Sequence, residues 1–276
     1  MTSRTAATMR AERSMSATTD SPRTWCRAPT TLLLHPNLAE GTFTGKVTIE
    51  LETLEPRKNL FLHSKGLSVN RTEIAPRLQA TLGSGQGQPL GIARTFEYPK
   101  NEFWVIKPTA EIPAGKYALT LEFSGKLTGK IVGFYRSVYT DKTTGKEVPI
   151  ATSKFEPTFA RQAFPCMDEP AFKAKFSIQL VRPSDKNYIA LSNMNQVGTE
   201  EDKPSAGLTT VTFAESVPMS TYLACFIVAT SSVFQQTTLL SLFQKPQCLL
   251  MHMLDRVKRC SWSMHISSGL MSSIFT

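Results

Sequence analysis

No histidine in this sequence is followed by glutamate, no two cysteines form a C-x-x-C pair, and no apolar run is long enough to cross a bilayer. Each absence removes a class of function. His35, His63, His252 and His265 are followed by Pro, Ser, Met and Ile, so none opens a His-Glu-x-x-His zinc helix. The cysteines, at 26, 166, 225, 248 and 260, build neither a zinc knuckle nor the dense framework of a disulfide-stapled domain. His252 and His265 lie near Cys248 and Cys260, but the expected reading there is a weakly ordered tail that happens to hold His and Cys. A membrane-spanning helix needs about 18 apolar residues. The most apolar run, Val217 to Thr230, falls short of that. The amino terminus, with Arg4, Arg10, Glu12 and Arg13 among its Ser and Thr, lacks the apolar centre of a signal peptide.

Negative charge is in short supply overall, leaving a net charge of +9, and the distribution of that excess decides what it means. Residues 1–29 carry +3 and residues 231–276 another +3, while the middle sets 22 basic side chains against 19 acidic ones. A near-neutral, evenly mixed middle is a solvated surface, and nucleic-acid binding is not expected. Hydrophobic residues at 41% and charged ones at 19% are the proportions of a folded soluble domain.

Composition divides the chain into a divergent, disordered head at 1–29, a strand-rich body at 30–230 and a divergent tail at 231–276, disordered or loosely helical. In the body the apolar period is two, the mark of half-buried strands. Val47, Ile49 and Leu51 alternate with polar residues, as do Tyr117, Leu119, Leu121 and Phe123, and Phe176, Ile178 and Leu180. Leu60 to Leu62, Phe103 to Ile106, Val211 to Phe213 and Tyr222 to Val228 are further short runs. Pro113-Ala114-Gly115, Ser124-Gly125 and Thr143-Thr144-Gly145 read as turns between them, and Gly83 to Gly87 as a flexible loop. The fold class expected is all-β and mainly antiparallel, as a sandwich or a large twisted sheet. Asn70-Arg71-Thr72 is a glycosylation sequon, with meaning only in a chain that enters the secretory pathway.

The segment richest in chemistry runs from Ser153 to Phe176 and reads SKFEPTFARQAFPCMDEPAFKAKF. Its three prolines predict an irregular, rigid crossing rather than a strand. It resembles the FEPTxARxxFPCxDEPxxKAxF signature in the amino-terminal domain of M1 zinc aminopeptidases, the aminopeptidase N and cystinyl aminopeptidase group. Leu34 to Leu38 with Phe43 to Ile49 resembles that domain's opening strands, and Pro218 to Leu223 with Phe226 to Val228 resembles its close. The resemblance covers residues 30–230.

That resemblance implies a saddle-like, mainly antiparallel sheet domain with irregular crossings, which in an intact enzyme helps bind the free amino terminus of a peptide. It also implies zinc in the intact enzyme, and here the chain departs from the family. The Gly-x-Met-Glu-Asn loop and His-Glu-x-x-His helix that follow the domain are absent, as is the family's usual opening before the first strand. No catalytic residue, metal ligand or cofactor is therefore expected in this chain, which is read as a truncated product, inactive alone. Glu156 matches the family glutamate that holds the substrate α-amino group; the alternative is a carboxylate that only caps local backbone. Lys154 stands where relatives commonly carry a Gln lining the pocket for the first substrate side chain; the alternative is a solvent-facing lysine. Arg161, Asp168 and Glu169 read as an internal ion network bracing the crossing, and Cys166 as a small buried hydrophobe. Asn70 remains the glycosylation candidate. The partners implied are peptides in the intact enzyme; a rival reading makes this chain a regulatory decoy that pairs with a full-length aminopeptidase. A stand-alone β-sandwich binding module is the rival from another class. The family points to the plasma membrane or extracellular face, but this sequence carries no address of its own.

Overall fold

The computed structural model describes residues 29–77, 88–140 and 145–231. The head through residue 28, the tail from residue 232, the glycine-rich loop at 83–87 and Thr143-Thr144 lie outside the described residues. Numbered in chain order, sixteen strands and three short 3-10 turns make up the described regular structure. The chain is all-β.

The largest sheet has seven strands in the order β13 (Gln196–Glu201), β14 (Leu208–Phe213), β11 (Phe176–Pro183), β1 (Thr30–Asn37), β2 (Thr42–Thr53), β7 (Gly115–Lys126) and β4 (Leu67–Pro76). A four-stranded sheet runs β12 (Tyr188–Ser192), β16 (Phe226–Thr230), β9 (Glu147–Lys154) and β8 (Gly133–Thr140). A three-stranded sheet runs β3 (Leu60–His63), β6 (Phe103–Pro108) and β5 (Ile92–Tyr98). The short strands β10 (Lys173–Ala174) and β15 (Met219–Ser220) form a pair of their own. Every strand pairing is antiparallel except β1 with β11, where Thr30 to Leu34 face Phe176 to Leu180 in parallel. The first strand of the domain and the strand that follows the crossing thus lie side by side at the centre of the large sheet.

The period-two segments sit on β2, β7 and β11, and their apolar residues are the buried ones. A one-residue slip would turn that whole set toward water, so the core fixes the register. Core and sheets are joined by phenylalanines. Phe43 of the large sheet meets Phe134 of the second edge-on at 5.2 Å, and Phe134 meets Phe226 at 5.7 Å. Phe155 and Phe164, from the crossing, pack on Phe226 at 5.3 and 6.4 Å, and Phe164 reaches Phe176 of the large sheet. Each such side chain contributes about 1.5–3 kcal/mol by burial, and each edge-on pair about 0.5–1.5 kcal/mol more.

Two expectations need correction. Ser124-Gly125 is not a turn but lies within β7. A Cβ at Gly125 would come within 2.6 Å of the Phe43 ring, and one at Gly45 within 2.5 Å of the Phe123 ring. These glycines make room for aromatic rings across the β2–β7 pair rather than bending the chain. The run from Tyr222 to Val228 is also not one strand: Thr221–Leu223 is a 3-10 turn and extended pairing begins at Phe226.

Candidate functional site

Between the end of β9 and the start of β10 the chain crosses from the second sheet toward the large one without regular pairing. Alternating demands of burial shape it. Phe155, Ala160, Ala163 and Phe164 are buried, whereas Glu156, Pro157 and Thr158 are exposed. The Phe159 N–H donates to Phe155 O at 2.8 Å, and a 3-10 turn at Ala160–Gln162 follows, closed by Phe164 N–H on Ala160 O at 3.1 Å. The Glu156–Pro157 peptide is cis. At the entry to the crossing, Ser153 Oγ accepts from Phe226 N–H at 2.9 Å, which ties the last turn of β9 to β16.

The buried half of the crossing is organised by Arg161. Its Nε donates to Asp168 Oδ2 at 2.9 Å, its Nη2 to the Asp168 carbonyl at 3.1 Å and its Nη1 to Glu102 Oε2 at 3.0 Å. Asp168 Oδ1 accepts from Thr221 Oγ1 at 2.7 Å, while Asp168 N–H donates to His63 Nδ1 at 3.2 Å. Arg161 and Asp168 are only 9% and 4% exposed, so these bonds replace hydration that neither charge could do without. Glu102 also pairs with Lys65, whose N–H donates to the Arg161 carbonyl at 2.9 Å. The network thus clamps the crossing to β3, to the turn before β6 and to Thr221.

Glu102 occupies the left-handed region at φ 56, which costs a residue with a Cβ about 1–2 kcal/mol. Its carboxylate is held below the ordinary range chiefly by Lys65 and further by Arg161. His63 is driven the other way. Burial, aided by the Arg161 charge and only partly opposed by Asp168 and Glu102, lowers it to about 4. The imidazole is therefore neutral near pH 7, with Nδ1 free to accept the Asp168 amide and the ring packed 4.8 Å from Phe103. Cys166 lies in the same layer, its backbone exchanging hydrogen bonds with His63 at 2.8 and 3.1 Å, and burial pushes its thiol well up. It is buried and free, the surroundings of an inert small hydrophobe.

Glu169 stands apart from this network. Among the described residues its carboxylate joins no ion pair, and the second acid on Arg161 is Glu102. The exposed half of the crossing is different again. Glu156 projects at the surface with no hydrogen bond or ion pair to its carboxylate among the described residues. Lys154, at the end of β9, is half-buried and likewise unpaired among the described residues. Asn70 is far along the chain from both, exposed on β4.

No group of three His, Cys, Asp or Glu among the described residues could hold a metal ion. His63 shows why: its Nδ1 is taken by the Asp168 amide, and Asp168 is taken by Arg161 and Thr221. These residues do not fit a zinc site. No described helix is long and apolar enough to cross a membrane.

With the crossing so built, comparison with known proteins is decisive. The family model for the peptidase M1 N-terminal domain matches residues 28–223. This chain belongs to the M1 peptidase family. Glutamyl aminopeptidase from Sus scrofa is 40% identical over 201 residues, which cover 71% of this chain and 20% of that protein. Endoplasmic reticulum aminopeptidase 1 from Homo sapiens is 36% identical over 201 residues, 72% of this chain and 20% of that protein. Aminopeptidase M1-A from Oryza sativa subsp. japonica is 38% identical over 197 residues, 71% of this chain and 21% of that protein. The chain spans about one fifth of the length of these curated relatives.

In this M1 N-terminal domain, reasoning from sequence missed Glu102, Lys65, His63 and Thr221. Thr221 carried a signal, because Pro218 to Leu223 matched the domain's close, and Thr221 and Ser220 do meet the crossing at Asp168 and the Pro170 carbonyl. Glu102 and His63 carried none, being 59 and 105 residues away from the atoms they contact.

Proposed function

We propose that this domain forms one wall of the substrate site in an intact M1 zinc aminopeptidase, with Glu156 holding the free α-ammonium group of the peptide. The observation that carries the reading is a carboxylate both unused and fully at the surface, since Glu169, also free of ion pairs among the described residues, is half-buried. In a crossing whose buried charges are all matched, Glu156 keeps its oxygens free at the surface. An ammonium group brought against it in a partly dried pocket gains a charge-assisted hydrogen bond of about 1.5–3 kcal/mol. A peptide with a blocked amino terminus gains nothing there, which gives the selectivity for free amino termini a physical source.

The family implies zinc in the intact enzyme, where it activates the water that attacks the peptide bond. The 276 residues contain no His-Glu-x-x-His, and by themselves they are expected to release no amino acid from aminoacyl-aminocoumarin substrates. Chelator-sensitive release, with about one zinc per chain by elemental analysis, would contradict this.

The test of the binding role uses an intact enzyme carrying this domain. Glu156→Ala should raise KM for free-amino peptides more than it lowers kcat, since the contact exists before the reaction as well as during it. A normal KM with a reduced kcat would assign Glu156 elsewhere.

A further inference from the structure

We propose that Asn70 is an N-glycan acceptor and that its glycan covers the open edge of the seven-stranded sheet. Asn70-Arg71-Thr72 is the only Asn-x-Ser/Thr triplet in the sequence. Its position in the fold is selective. Among the described residues β4 is the last strand of the large sheet, paired on one side with β7 and on the other with no strand. The β4–β7 register shifts between Val69 and Arg71, so Asn70 is the extra residue of a β-bulge and stands opposite no partner. The side chain is exposed, while Leu67, Ile74 and Ala75 of the same strand are buried. A sequon on any of those three would drive a sugar into the core; this one directs it to water.

The edge itself gives the glycan a task. Exposed strand edges present unpaired amides and carbonyls that template association with another chain, and bulges, charges and covers are the usual protections. Farther along β4 the edge is covered, where Leu90 N–H donates to Ile74 O at 2.7 Å. Arg71 and Glu73 pair with each other at 2.8 Å and place charge on the strand. From Leu67 to Val69 neither a cover nor a charge is present among the described residues. A glycan rooted at the bulge fills that gap.

The chemistry balances with a lipid-linked pyrophosphoryl oligosaccharide as donor. The Asn70 side-chain nitrogen attacks the anomeric carbon of the first sugar, an N–C bond forms, the sugar–phosphate bond breaks, and the lipid pyrophosphate leaves with the electron pair. The amide gives up one proton and no oxidant or reductant is needed. The Thr72 hydroxyl is the element of the triplet read by the transferring enzyme.

The experiment translates the full chain, with a cleavable secretory leader in front of Met1, in the presence and absence of endoplasmic-reticulum microsomes. One endoglycosidase-sensitive step in electrophoretic mobility is expected with microsomes. Asn70→Gln and Thr72→Ala should each abolish the step, and Thr72→Ser should keep it. No step, in a reaction where a control secretory protein is modified, overturns the site, as does a step that survives Asn70→Gln. Glycosylated chain treated with endoglycosidase should then self-associate more in size-exclusion chromatography; unchanged elution overturns the edge-covering role.

Discussion

Arg161 and Glu156 lie five residues apart on one crossing, inside one motif, and their surroundings are opposite. Arg161 is buried and donates to three oxygens, with each acid it touches held in turn by another residue. Glu156 is exposed and holds nothing among the described residues. A buried charge with every bond satisfied is costly to disturb and has no capacity left for a ligand. An exposed carboxylate with free oxygens contributes little to the fold and has all its capacity left. The same motif thus contains a buried frame and, on the proposed function, a contact, and substitution should separate them.

The largest effect is expected at the frame. Arg161→Ala leaves the Asp168 carboxylate buried and unpaired, a loss of about 3–5 kcal/mol. Thermal unfolding should show a fall in Tm of about 10 °C. A fall of only a degree or two would mean that the network is incidental and would erase the contrast with Glu156.

A smaller effect concerns His63, the neutral member of the frame. Its folded-state value is lowered to about 4 from an unfolded value of 6.5, so the unfolded chain binds the proton first as pH falls. The contribution of His63 is complete above pH 6.5 and is lost progressively between 6.5 and about 4. Urea unfolding across this window should show stability dropping with acid, and His63→Gln, which keeps an acceptor for the Asp168 amide, should flatten that slope. An unaltered slope would remove His63 from the account.

The smallest effect sharpens the contact side. If Lys154 faces the first substrate side chain, its ammonium disfavours amino-terminal Lys and Arg and tolerates acidic or neutral residues. In an intact enzyme, Lys154→Gln should raise the ratio of kcat/KM for Arg over Ala substrates several-fold, about 1 kcal/mol or less for a half-exposed charge. An unchanged ratio returns Lys154 to a solvent-facing role.

How much of this was legible in the sequence depended on whether one physical demand acted at a time. β2, β7 and β11 have one face in the core and one toward water, and their alternation could be read directly. β4 could not, because the bulge at Asn70 shifts the phase of its pattern halfway along. β13, with five of its six residues exposed, has no apolar period to read. Gly125 was misread because glycine serves both turns and close packing, and only the neighbouring Phe43 tells which. In the crossing, the motif located Glu156, Arg161 and Asp168, but residue type alone grouped Glu169 with Arg161. The acid that completes the network, Glu102, comes from a turn brought there by the packing of a different sheet.

The most direct measurement takes Glu156→Ala in an intact M1 aminopeptidase carrying this domain and records Tm and kcat/KM on the same preparation. The account predicts an unchanged Tm, within the roughly 0.5 kcal/mol expected of a surface substitution, together with at least a tenfold loss of kcat/KM, about 1.4 kcal/mol. A lowered Tm with kcat/KM intact would make Glu156 part of the frame and contradict the division of the crossing on which the proposed function rests.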